Sequence, residues 1–101
     1  MADRLDLQDL LEKILGSGNV YFDPPKNVKM NYPAIRYSRS RIDNTSADDS
    51  VYKQDLRYEV ITIYRDPDSD IPLKISRLPR CAHDRAYVSD NLHHDVFTLY
   101  F

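Results

Sequence analysis

The sequence predicts an α+β domain: an antiparallel β-sheet of about four to five strands, two helices on one face, order αβββαββ, and a long β-hairpin arm. Three observations carry this. Leucines near the start repeat with a helical period, and strand-like segments rich in Tyr, Val and Ile follow. A Pro- and Asp-rich stretch then separates the third strand from a second, short helix. At 101 residues the chain reads as a single domain, 1–101, with residues 42–55 as a projecting polar hairpin arm.

The segment DRLDLQDLLEKILGSG reads as the first helix. Leu7, Leu10, Leu11, Ile14 and Leu15 form one apolar face, Asp3 caps its start, Asp6 adds first-turn charge, and Gly16 or Gly18 stops it. A short strand, Val20 to Phe22, ends at Pro24-Pro25. The second strand spans Ala34 to Ile42, and the polar run IDNTSADDS then reads as a long mobile tip. From Val51 to Arg65 the chain returns. Leu56, Tyr58 and Val60 alternate with Arg57 and Glu59 until both faces turn apolar at Val60 to Tyr64, as in a central strand. The stretch DPDSDIPLKISRLP supplies a turn and a helix capped by Ser69 or Asp70, with Pro72 in its first turn and Ile71, Ile75 and Leu78 on one side. Two last strands, Ala82 to Val88 and His94 to Phe101, flank the turn Ser89-Asp90-Asn91-Leu92. In the final strand His93, Asp95, Phe97, Leu99 and Phe101 share one face; His94, Val96, Thr98 and Tyr100 share the other.

Composition excludes several classes. A content of 42% hydrophobic and 30% charged residues is globular. No apolar run approaches the roughly 18–20 residues of a membrane helix, and MADRLDLQ lacks the apolar core of a signal peptide. Synthesis in a cytoplasm is expected, and the lone Cys81 fits a reducing compartment. The net charge of −2 gives no general pull toward nucleic acid. With only Gly16 and Gly18, no glycine-rich phosphate loop exists.

Three constellations invite chemistry. His93-His94-Asp95 looks like a ligand cluster, but neighbours on a strand point to opposite faces. His93 with Asp95, or Cys81 with His83, falls short of the three or four ligands zinc needs. Cys81 and His83 also form a possible nucleophile pair, without a helix N-terminus to activate the thiol. The plainer reading is polar residues at a strand entrance. Lastly, Arg36, Arg39 and Arg41, with Lys53 and Arg57 across the hairpin and Tyr37 and Tyr52 among them, form a basic patch. Asp43, Asp48, Asp49 and Asp55 share that arm, and cross-strand ion pairs account for the mixture. No catalytic, cofactor or metal site is expected.

The ordered segments VYFDPP (20–25), MNYPAIRY (30–37), IDN (42–44), VYKQDLRYEV (51–60), YRDPDSDIP (64–72), ISRLPRC (75–81) and DNLHHDVFTLYF (90–101) resemble small tail terminator, tail completion or head–tail joining proteins of long-tailed bacteriophages. The resemblance covers nearly the whole chain and rests on order and spacing rather than on a catalytic signature. It implies a ring, commonly a hexamer, at the head-proximal end of the tail tube in the virion. Such a ring stops tube growth and offers a surface to the head connector. Its implied partners are itself, the major tail tube protein and the connector; DNA passes through the lumen without specific binding. It implies no enzymatic activity, cofactor or membrane.

A terminator needs closure between subunits, and a sheet edge with unpaired backbone groups and the arm at residues 42–55 are the surfaces expected to supply it. Arg41, Tyr52 and Arg57 are the expected contacts, with Asp43 and Asn44 shaping the turn. The alternatives are another connector role (stopper or adaptor), a small nucleic-acid-binding module on the Arg36–Arg41 strand, and a metal-dependent enzyme around Cys81, His83 and His93.

Overall fold

The computed structural model describes residues 4–47 and 50–101, with side chains over 4–43 and 54–101. Its elements are α1 (Arg4–Leu15), β1 (Val20–Phe22), β2 (Ala34–Ala47), β3 (Ser50–Tyr64), α2 (Ile71–Ser76), β4 (Cys81–Ser89) and β5 (Leu92–Tyr100), in the expected αβββαββ order. The five strands form one sheet, ordered β1-β2-β3-β5-β4. The sheet is mixed: β1 runs parallel to β2, and the other three pairings are antiparallel. The 23–33 connection makes the parallel pairing possible, since a two-residue hairpin cannot.

Helix α1 buries Leu7 and Leu11, and Gly16, at φ 84°, ends it with its N–H on the Glu12 carbonyl at 2.8 Å. The Asp3 cap lies outside the described residues. Gln8 fastens the helix to the sheet: it donates to the Val20 carbonyl at 3.0 Å and accepts from the Tyr37 hydroxyl at 2.5 Å. At α2 the Asp70 side chain makes no capping bond; Ser69 Oγ accepts from the Ile71 N–H at 3.4 Å instead.

Both helices cover one face, where Leu7, Leu11 and Ile75 pack on Ile35, Tyr37, Tyr58, Val60, Phe97 and Leu99. Each such side chain contributes about 1.5–3 kcal/mol when fully buried. Strand β3 is central in the sheet order, and Ile63, on its face away from the helices, is buried at 5% exposure. The opposite face, called the open face below, carries no helix. It includes Arg36, Glu59, Ile61, Val96, Thr98 and Tyr87, by the registers that align them.

The hairpin of β2 and β3 is more regular than the polar sequence suggested. Strand β2 continues to Ala47 and β3 begins at Ser50, so the expected 42–50 tip is mostly ladder. Asp48 and Asp49 are outside the described residues. The arm gives the molecule extents of 51 × 24 × 23 Å. Three register shifts interrupt the ladders: between Arg39 and Arg41, between Thr45 and Ser46, and between His83 and Arg85.

Candidate functional site

The tandem histidines occupy the second and third positions of β5. Alternation sends them to opposite faces, as expected. His93 stacks on Tyr64 with ring centroids 5.4 Å apart, and His94 stacks on Tyr87 at 4.6 Å. His94 Nδ1 lies 3.0 Å from the Leu92 carbonyl, so that nitrogen carries the proton. Asp95 is 7% exposed and accepts from the Tyr64 hydroxyl at 2.5 Å and from His83 Nε2 at 2.9 Å. Thr62, directly across from Asp95, is fully buried, and its hydroxyl has no hydrogen-bond partner.

This network joins β3, β5 and β4 on the helix-covered face, and its geometry is that of a cross-strand clamp. Among the described residues no three His, Cys, Asp or Glu side chains converge as a metal ion requires. Burial pushes the Cys81 thiol up, away from the thiolate a nucleophile needs. Burial first, then the Asp95 hydrogen bond and charge, push Tyr64 up to about 12.

The arm holds the other group of candidates. Arg41 stands directly across from Arg57, and Asp43 directly across from Asp55, so successive rungs on the open-face side carry like charge. Opposed like charges destabilise a ladder. Among the described residues, ion pairs run along and off the arm. Arg41 Nε bonds the Asp43 carboxylate, and Arg80 Nη2 reaches Asp55 at 2.9 Å. Arg57 Nε donates to Ser40 Oγ at 3.2 Å. Ile42, between the two rungs and turned the other way, is 51% exposed. The structure therefore gathers Arg41, Asp43 and Arg57 on one side of the arm. The side chains of Asn44 and Tyr52 lie outside the described residues.

The proposed basic stripe does not survive as one surface. The shift at Ser40 aligns Arg39 with Tyr58 on the helix-covered face, where Arg39 lies over the Tyr58 ring, 5.7 Å from its centroid. Arg36 and Arg41 remain on the open face, and Tyr37 is in the core.

Sequence reasoning expected a sheet-edge contact without naming its strand. Strand β4 is one edge of the sheet, and every residue after Cys81 in it is exposed. Val88 is 63% and Tyr87 40% exposed. The signal was the absence of alternation in CAHDRAYVS, which no covered strand would show. No helix among the described residues is long and apolar enough to cross a membrane. No family model, curated protein or solved structure matches the chain.

Proposed function

We propose that this chain is a structural assembly protein of a long-tailed bacteriophage. It acts as a tail terminator or completion protein, closing into a ring at the head-proximal end of the tail tube. The ring caps the last tube layer, stops further addition and gives the head connector a surface to join. The observation that carries this reading is the arm: a two-stranded extension from a small body, with like-charged rungs and the exposed Ile42. The rung charges have partners within the chain, and a neighbouring copy that brings the opposite charge in register adds to them. The ordered segment resemblance names the setting, and the arm provides the means.

Mechanistically, a terminator reproduces one face of a tube ring and withholds the other. A head-to-tail contact made by the arm on a neighbouring copy is heterologous, and repetition of such a contact closes a ring. Arg41, Asp43 and Arg57 are the described arm residues that make it. Mixed charge along the arm suits a lumen through which DNA slides, since each added phosphate contact would raise affinity and retard passage. A role as stopper or adaptor at the same joint uses the same surfaces. Immuno-electron microscopy of purified tails tests the reading. Label at the head-proximal end is expected, and tails without label would overturn it.

A further inference from the structure

The edge strand β4 carries a bulge. Its register shift falls in its middle, with Asp84 the inserted residue and its carboxylate on Arg85 Nη1 at 2.7 Å. A regular strand pairing antiparallel with a copy of itself aligns residue i with j only where i and j share parity. Otherwise, outward backbone groups of one strand meet inward groups of the other. An inserted residue inverts that parity between the two halves. Before it, Cys81 and His83 align with Leu99 and Phe97 on the helix-covered face; after it, Ala86 and Val88 align with Asp95 and His93 on that same face.

We infer that β4 is a self-pairing edge, joining antiparallel with the β4 of a second copy about a two-fold axis between Asp84 and Arg85. In this register each half meets the other half of the second copy. Cys81 lies opposite Val88 and His83 opposite Ala86 on the helix-covered face; Ala82 lies opposite Tyr87 on the open face. Asp84 of each copy faces Arg85 of the other, so the two centres of charge form a closed square. The neighbouring registers fail twice. A slip of one residue sets Asp84 against Asp84 or Arg85 against Arg85, and it also mixes the two faces. The exposed Val88 and Tyr87 find small partners, Cys81 and Ala82, across the pair. The result is a continuous ten-stranded sheet. It hides an edge that would otherwise recruit other strands.

This contact is isologous and uses β4, so it is independent of the arm-mediated ring. Two charge variants of the full chain test it by analytical ultracentrifugation. Wild type is expected to dimerise. Asp84→Arg and Arg85→Asp alone each set like charges in opposition and weaken the dimer by about tenfold or more. Mixed together they restore opposite charges and form a heterodimer. Val88→Cys, placed opposite the native Cys81, is expected to give a disulfide-linked dimer on mild oxidation, since residues directly opposite fall within disulfide reach. A wild type monomeric at hundreds of micromolar, or single variants that dimerise like wild type, would overturn the inference. A larger closed ring of the same size in wild type and in both charge variants supports the arm-mediated ring and refutes the β4 pairing.

Discussion

Thr62 and Asp95 face each other across β3 and β5, both buried, yet only the carboxylate has partners. An orphan buried hydroxyl costs about 1–3 kcal/mol, so Thr62→Val, nearly the same shape, is expected to leave stability unchanged or raise it by about 1 kcal/mol. A urea midpoint that falls would show the hydroxyl to be bonded. Asp95→Ala removes the acceptor of both Tyr64 and His83 and is expected to destabilise by about 1–3 kcal/mol in the same measurement. Tyr64 also gives the fold an alkaline limit. Its hydroxyl ordinarily titrates near 10.0 and is pushed up to about 12 in the folded chain, chiefly by burial. The unfolded chain therefore sheds this proton first. Stability is whole below pH 10 and declines as pH rises from 10 toward 12. Tyr37, also pushed up mainly by burial, adds a slope of the same sign. Tyr64→Phe should shallow that decline without abolishing it, and an unchanged slope in urea melts at pH 9 and 11.5 would contradict the assignment.

At the scale of elements, the β4–β5 turn shows what the sequence made legible. Asp90 and Asn91 adopt φ 52° and 62°, the left-handed pair that a two-residue hairpin turn demands. Asn91→Gly should be neutral or stabilising, whereas Asn91→Val should cost about 1–2 kcal/mol by thermal melting. Helix α1 was equally legible, because five apolar residues repeat at helical spacing and Gly16 stops them. The register shifts were not. From the Asp90-Asn91 turn alone, counting back places His83 opposite Thr98, on the open face. The inserted Asp84 moves it opposite Phe97, beside Asp95. The shift at Ser40 likewise parts Arg39 from Arg41, which alternation would put on one face. An insertion leaves no mark on hydrophobic period when its neighbours are polar, so the polar clamp was hidden while its members were in view. The parallel β1 was hidden too, because three residues cannot announce their direction.

For the whole molecule, the proposed function gives the arm and the compact body separate tasks. The body is held by α1, α2 and the helix-covered face, none of which involves Arg41 or Arg57. Arg41→Glu with Arg57→Glu replaces one like-charged rung by its opposite, so monomer stability should move by less than about 1 kcal/mol while ring assembly is lost. Loss of fold by circular dichroism would mean the rung supports the body rather than a partner. The central claim concerns tube length. Tail tubes assembled with and without this chain can be measured by electron microscopy. The account predicts tubes of uniform length, joined to heads, when it is present, and overlong, unjoined tubes when it is absent. Tubes of normal length that join heads without it would contradict the account.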